Sequence, residues 1–218
     1  MLEKIHIESL KEGAHELGIL LSDDTLSSLI IYLETLQRWS KTTDLVSQPA
    51  PEIVIHKHIL DSLAVSVLLS PQCRCLDLGS GAGFPGLILA IAEKERDITL
   101  VEPRRKRANF LKDVTRVAQL KNVKVYESRA EQSAHEKDLQ KSFDAVVTRA
   151  TWDMQTFLSF AAPFLKDRGV ALAMKGKKGE QELLDYIAHP SPKFSFSKRH
   201  DYGLPSGQEE RCGYVFRK

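Results

Sequence analysis

The chain is poor in cysteine, has no long apolar run and carries almost no net charge, and each shortage removes a class of protein. Its three cysteines, Cys73, Cys75 and Cys212, are an odd number at no zinc-ligand spacing. Neither a disulfide framework nor a metal site is therefore expected, and the three read as small buried residues. No stretch approaches eighteen consecutive apolar residues, and the opening Met1-Leu2-Glu3-Lys4-Ile5-His6 has no apolar signal region. The expectation is a cytoplasmic protein with no membrane partner. A formal charge of +2 is too mild to announce a nucleic-acid binder by composition alone. Repeats and low-complexity segments are absent too, and 218 residues at 42% hydrophobic make one globular domain with some elaboration.

What is present is a cradle. Residues 76–87 run from a short apolar strand through Asp77 into Gly79-Ser80-Gly81-Ala82-Gly83-Phe84-Pro85-Gly86 and a helix that opens with proline. Glycines let backbone approach a ligand closely, and Pro85 suits a first helical turn, where its missing N–H is no loss. Glu102 ends a second strand, Ile98–Glu102, 25 residues after Asp77. Two acids at the ends of adjacent parallel strands, with glycines between, suit a nucleoside cofactor with an amino group and a ribose diol. Gly81-x-Gly83-x-x-Gly86 also satisfies the dinucleotide fingerprint, with Glu102 placed 21 residues beyond Gly81, so spacing alone leaves NAD open. Asp77 favours S-adenosylmethionine (SAM), whose amino-acid end is cationic, over a pyrophosphate that a carboxylate would repel. The 116 residues after Glu102 also leave little room for a separate substrate domain.

Around this cradle, strands are expected near 73–78, 97–102, 123–127, 143–148 and 169–174, with helices near 85–94, 104–119, 151–165 and 177–188. Such alternation means a parallel sheet covered on both faces. Phe194–Ser197 and Gly213–Phe216, joined by a loop through Gly203-Leu204-Pro205-Ser206-Gly207, predict an antiparallel pair that closes it. Residues 1–70 read as a helical extension packed on the core. It has an amphipathic helix over about 23–40 behind Ser22 and Asp23, then a segment over 52–69 with a bend at Asp61-Ser62. Residues 71–218 form the main domain. The layout is α/β and Rossmann-like, that of a SAM-dependent methyltransferase: a mostly parallel seven-stranded sheet with an antiparallel terminal strand. Basic clusters at Arg104–Arg107, Lys175-Gly176-Lys177-Lys178, Lys198-Arg199-His200, and Arg211 with Arg217-Lys218 follow or flank strand ends. They are solvated surface taken singly and a phosphate-attracting rim if they converge.

Several elements together resemble the bacterial ribosomal RNA small subunit methyltransferase G family, also called glucose-inhibited division protein B. They are His58–Leu63, the cradle Asp77–Gly86, Lys106-Arg107 with Phe110-Leu111, Ser128-Arg129-Ala130-Glu131, Thr148-Arg149-Ala150, Lys175-Gly176, and Arg211 to Lys218. The resemblance implies methylation by SAM of N7 of a guanine in a decoding-region loop of 16S rRNA, as naked RNA or in the 30S subunit. By motif position it implies SAM contacts at Gly79, Phe84, Ala130, Glu131 and Arg149, beside Asp77, Gly81, Gly83 and Glu102 of the cradle. One departure stands out: Asp44-Leu45-Val46 occupies the place of an Asn-Leu-Thr-like element after the tryptophan of the N-terminal helix, here Trp39.

Guanine N7 carries an in-plane lone pair at neutral pH, so its methylation needs orientation and no general base. Consistently, the sequence offers no nucleophile–base pair, no Pro-Cys for pyrimidine C5 and no Asn/Asp-Pro-Pro-aromatic motif for exocyclic amines. No residue is assigned to catalysis except Arg149 as a candidate, with a fork suited to SAM, to phosphate or to guanine O6. Lys175, Lys198, Arg199 and Arg211 are the RNA-phosphate candidates. His58 and Asp61 share a helical face and are expected to hydrogen-bond each other, while His56 points elsewhere, which argues against a metal. Trp39 and Trp152 read as core or as base-stacking residues. Methylation of a protein or small molecule, and a non-catalytic SAM-binding assembly factor, remain alternatives. A monomer is expected, since no unexplained apolar stripe stands out.

Overall fold

The computed structural model describes residues 2–205 and 210–218, so Ser206 and Gly207 of the expected loop lie outside the described residues. The chain opens with helices α1 (Lys4–Glu16) and α2 (Asp23–Trp39). The second begins where expected because Ser22 Oγ accepts from the Thr25 N–H at 3.1 Å, with Asp23 and Asp24 favourable in the first turn. Leu26, Leu29, Leu33 and Leu36 form its buried stripe.

The segment expected as one helix over 52–69 is in four pieces. Helix α3 (Pro51–Val54) widens into a π-turn over Ile55–Ile59, tightens into α4 (Leu60–Ala64) and ends in a 3-10 turn at Ser66–Leu68. The irregularity therefore lies at His56–His58 and not at Asp61-Ser62. A π-turn inserts one residue into the helical ladder and re-aims the side chains that follow, a device found often at functional sites.

The alternating region then follows as β1 (Arg74–Leu78), α5 (Gly86–Ala92), β2 (Asp97–Val101), α6 (Arg105–Val117), β3 (Val123–Tyr126), α7 (Ala130–Ser133) and β4 (Phe143–Arg149). It continues through α8 (Met154–Ala161), β5 (Leu165–Lys175), α9 (Gly179–Ala188), β6 (Ser195–Gly203) and β7 (Glu210–Arg217). The sheet order is β3-β2-β1-β4-β5-β7-β6, with β1 to β5 mutually parallel and β7 antiparallel to both neighbours. Several elements differ from expectation: α7 was not expected, and β5 begins at Leu165 and not near 169. Helix α8 is shorter because the Asp153 carboxylate caps it, accepting from the Thr156 N–H at 2.9 Å, and because Pro163 has no N–H with which to continue the helical ladder. Strand β6 runs on past the expected Ser197 through Lys198, Arg199 and His200, so that basic cluster lies on the edge strand. Charged side chains suit an edge, since they discourage pairing with another chain.

Two clusters of buried side chains cover the sheet, one on each face. One joins α1, α2 and the 54–63 segment to α5 and α6 through Leu10, Leu29, Leu36, Ile59, Leu87 and Phe110; the other gathers α8 and the ends of β5 and β7. Arg96, 2% exposed, clips the N-terminal segment to the sheet: its guanidinium donates to the carbonyls of Ser66, Leu69 and Ser70 at 3.2–3.4 Å. In such a doubly wound sheet the order reverses between β1 and β4, and ligands bind outside the carboxyl ends of the strands at that point. Gly79 follows β1 there, and Ala150 follows β4.

Candidate functional site

The turn after β1 is held from within. Gly79 and Ser80 donate their N–H groups to Val101 O at 2.9 and 3.1 Å, and Gly81 N–H donates to Glu102 Oε2 at 2.8 Å. Glu102 Oε1 accepts from Arg104 N–H at 2.8 Å, so this acid, 3% exposed, ties the glycine turn to the start of α6. Asp77 is fully buried. Its Oδ2 accepts from Gly86 N–H at 3.0 Å, while Oδ1 has no partner. Burial lifts its pKa to about 7 against the lowering effect of the Gly86 bond. Gly86 must be glycine here, because a Cβ would stand 2.6 Å from both Asp77 Cβ and Leu100 Cδ2.

A cavity of about 460 Å³ opens at the turn, lined by Gly79, Glu102, Ala130, Glu131, Thr151 and Trp152. Its volume falls within the roughly 300–1,000 Å³ of small-molecule sites. SAM fits the residues present on two counts. The unpartnered Asp77 Oδ1 is a buried acceptor at the turn that a cationic ammonium group would satisfy. At Gly79 (φ +69°) a Cβ would come within 3.0 Å of Thr151 Cγ2 and 3.3 Å of Trp152, so only glycine leaves the backbone open beneath the 151–152 segment. A larger cavity of about 740 Å³, beside Asp24, Lys94 and Asn122, lies at the opposite, amino-terminal end of the strands, away from the switch point.

The sequence-selected residues do not all meet in the cleft. Gly79, Glu102, Ala130 and Glu131 do. Gly83 is a packing position, where a Cβ would strike Leu87 Cβ at 2.7 Å. Gly81 supplies the N–H that Glu102 holds. Phe84 is buried under the turn, with Tyr32 edge-on at 5.7 Å and the His58 ring at 4.9 Å. The Arg149 guanidinium stacks 4.9 Å from the Phe84 ring centroid.

Arg149 is committed inside the protein. Its Nη1 donates to Asp61 Oδ2 at 3.0 Å and to Lys57 O at 3.2 Å, and its Nη2 donates to His58 Nδ1 at 2.7 Å. The expected direct bond between His58 and Asp61 is thus replaced by a bridge: Arg149 stands between them, and the π-turn aims both at it. Tyr202 Oη donates to Asp61 Oδ1 at 2.7 Å, which closes the network onto β6. Burial, followed by the Arg149 charge, depresses His58 to a pKa of about 3. Burial, followed by the Asp61 charge, pushes the Tyr202 hydroxyl far above its usual range. These groups line a second cavity of about 160 Å³, to which Arg149 and Ala150 contribute from the same segment that gives Thr151 and Trp152 to the cleft. Ala150 holds φ +54°, an uncommon conformation for a residue with a Cβ, at the junction of the two.

The RNA candidates separate as well. Lys175 is buried, its ammonium paired with Glu182 Oε2 at 2.8 Å and donating to Trp152 O, so it braces α9 and the 152 loop and is not presented to a phosphate. Arg199 is bound to Asp201 Oδ1 at 2.6 Å and lies 3.8 Å from Glu180 Oε1. Lys198 is exposed on β6, and Arg211 borders the second cavity. The cleft has a cationic border of Arg104, Arg107 and Arg129, none of them among the four RNA-phosphate candidates of the sequence. Arg107 also donates to Asp44 O at 3.1 and 3.3 Å, which anchors the departing segment 44–46 to α6. Trp39 Nε1 donates to Asp113 at 2.9 Å between α2 and α6, and His56 Nε2 meets Ser9 Oγ at 2.8 Å. Among the described residues no cluster of ligating side chains could hold a metal, and all three cysteines are buried and free.

Known proteins match this chain in sequence and in fold. Residues 25–209 match the family described as rRNA small subunit methyltransferase G. The ribosomal RNA small subunit methyltransferase G of Clostridium botulinum is 36% identical over 176 residues, covering 80% of this chain and 74% of that protein. Its counterpart in Acinetobacter baylyi is 35% identical, covering 81% and 82%. Among solved structures, TYW2 of M. jannaschii in complex with AdoMet shares the fold, with a TM-score of 0.55 at 17% identity over 74% of this chain and 76% of that one. The chain therefore belongs to the rRNA small subunit methyltransferase G family and is a SAM-dependent methyltransferase.

Proposed function

We propose that this protein transfers a methyl group from SAM to N7 of a guanine in the decoding region of 16S rRNA. The observation that carries the reading, beside family membership, is a cleft at the switch point whose one buried acid holds backbone. Glu102 has an N–H on each carboxylate oxygen, and Asp77 is sealed beneath the turn. No nucleophile–base pair faces the cleft among the described residues, and none is needed, because N7 presents its lone pair without losing a proton.

When bound, SAM supplies the electrophilic methyl group. Asp77, beneath the turn and outside the cleft lining, would favour the cationic amino-acid end by its charge, Glu102 and Glu131 would accept from the ribose, and Gly79 and Ala130 would give close backbone approach. The work left to the chain is orientation, which lowers a barrier by up to about 7–11 kcal/mol in the best cases, and exclusion of water beneath the Thr151-Trp152 segment. Arg104, Arg107, Arg129, Lys198 and Arg211 attract RNA phosphate. The substrate is 16S rRNA, free or within the 30S subunit, and the enzyme acts as a cytoplasmic monomer; no helix among the described residues is long and apolar enough to cross a membrane.

The test is transfer of labelled methyl from SAM to 30S subunits and to protein-free 16S rRNA from cells lacking this gene, with nuclease mapping. One N7-methylguanine is expected. SAM binding without label on either RNA would remove the reading in favour of a small-molecule enzyme or a non-catalytic module.

A further inference from the structure

Thr151 and Trp152 form a roof over the first glycine of the cradle. A Cβ on Gly79 would meet Thr151 Oγ1 at 3.1 Å and Trp152 Cη2 at 3.3 Å, and both residues line the 460 Å³ cleft. They lie in a short link between two anchors. Upstream, Arg149 is held by Asp61 and His58, and Thr151 Oγ1 donates back to Arg149 O at 3.1 Å. Downstream, Lys175 at the end of β5 donates to Trp152 O and pairs with Glu182 Oε2 at 2.8 Å. The same carboxylate oxygen accepts from Met154 N–H at 2.9 Å. One ion pair between β5 and α9 therefore grips the backbone on both sides of Asp153. The Lys175 side chain is 6% exposed, and a buried ammonium is costly unless its hydrogen bonds are made, so its donors dictate where Trp152 O sits. Its stem has little freedom, since a Cβ on Gly179 would stand 2.6 Å from Lys175 Cβ. Between the anchors, Ala150 at φ +54° holds a conformation that persists only where its surroundings enforce it.

We propose that Lys175 is a positioning residue for SAM: through Trp152 O it sets the height of the Thr151-Trp152 roof above Gly79, and Trp152 contacts the bound cofactor. The proposal rests on the cleft being the SAM site and is independent of which atom receives the methyl group. A roof released from Lys175 spends part of its time away from the cofactor, and apparent affinity falls with the fraction of molecules whose roof is closed. A hydrogen bond from a charged donor is worth about tenfold or more, which sets the size of the expected loss. Lys175 also borders the 160 Å³ cavity, so an RNA phosphate is the competing ligand for its ammonium, and the two roles give different results in the assays below.

The test is equilibrium dialysis of SAM against the full-length protein without RNA, at a temperature well below the Tm of every variant. Lys175→Met should bind SAM about tenfold more weakly, while the salt slope of its RNA binding stays at the wild-type value. Lys175→Arg, which keeps a cationic donor, should recover most of the affinity. A part in folding alone would lower Tm and leave the folded Lys175→Met with wild-type SAM affinity; that result overturns the proposal. So does a salt slope reduced by about one with SAM affinity intact, the mark of a phosphate contact. Equal losses in Lys175→Met and Lys175→Arg overturn it as well, since the donated charge would then be irrelevant. Fluorescence gives an independent reading. The chain has two tryptophans, so in Trp39→Phe only Trp152 emits. SAM should shield this emission from acrylamide, and Lys175→Met in the same background should weaken the shielding even at saturating SAM. Quenching that SAM leaves unmoved overturns the contact between Trp152 and the cofactor. Wild-type protein that takes up no SAM would instead overturn the assignment of the cleft itself, an outcome distinct from any difference between variants.

Discussion

Replacing Arg149 by methionine separates two accounts of this residue, a ligand contact at the rim and a keystone inside the protein. The structure supports the keystone. The side chain of Asp61 is 4% exposed and that of Arg149 18%, and they meet at 3.0 Å. Removing one partner of a buried pair leaves the other charge uncompensated, at a cost of about 3–5 kcal/mol. Asp61 keeps the Tyr202 hydroxyl, and Arg149 is partly solvated, so the lower end applies, about 3 kcal/mol. For a chain of this length that is a fall in Tm of roughly 6–12 °C.

The pH behaviour of His58 gives a second, independent readout. Burial is the main cause of its depressed pKa, and the Arg149 charge adds to it, so Arg149→Met should raise the value from about 3 while leaving it below the ordinary 6.5. Because the unfolded imidazole binds its proton at higher pH than the folded one, the His58 contribution to stability is present above pH 6.5 and is lost as pH falls toward 3. The variant should lose less stability than wild type over that window. The assays are thermal unfolding between pH 4 and 7.5 and NMR titration of the imidazole. Asp61→Asn in the Arg149→Met background should recover part of the loss, since it removes the stranded charge. A Tm within about 2 °C of wild type, with the His58 titration unmoved, would refute the reasoning.

Two further perturbations distinguish neighbouring roles. Asp77 has a folded pKa near 7, above its unfolded 3.8, so its contribution is full below pH 3.8 and is lost as pH rises through 7. Asp77→Asn should therefore gain stability over wild type across that interval, by up to roughly 4 kcal/mol, while its affinity for SAM falls; calorimetric unfolding and SAM titration check the opposed signs, and parallel losses in both would contradict them. Lys198→Ala should lower the slope of log K for RNA against log salt by about one, whereas Lys175→Met, which strands Glu182, should lower Tm without changing that slope. Filter binding across a salt series measures both, and an unchanged slope in Lys198→Ala removes it from the RNA surface.

The glycine cradle, the five parallel strands and the antiparallel β7 were legible because their signals are local: an apolar strand, an acid, glycines and a following helix within a dozen residues. What escaped was non-local or off-period. The π-turn at Ile55–Ile59 adds one residue to a helical repeat, which a reading by steps of three and four cannot register. Strand β6 hides its exposed cations in an alternation that ends at Ser197, because an edge strand with one open side has no need to bury alternate positions. The Arg149 network joins residues 88 and 91 positions apart in sequence, and Tyr202 and Asp61 are separated by 141. Nothing in the spacing of His58 and Asp61 shows that a guanidinium stands between them. Lys175 carried the same charge signal as Lys198, and only tertiary placement against Glu182 shows that it is internal. Thr151 and Trp152 became part of the cleft because the chain turns back at Ala150, in a conformation that alanine does not advertise.

The most direct measurement is the pH dependence of the chemical step, taken from single-turnover methyl transfer with enzyme and SAM both saturating over the RNA. If N7 attacks with its own lone pair and the chain only orients it, the rate constant is flat between pH 6 and 8.5 and the sole product is N7-methylguanosine. A rate that climbs tenfold per pH unit through this range, or methyl found on an exocyclic amine or ribose oxygen, would show that a proton is removed before transfer and would contradict the account.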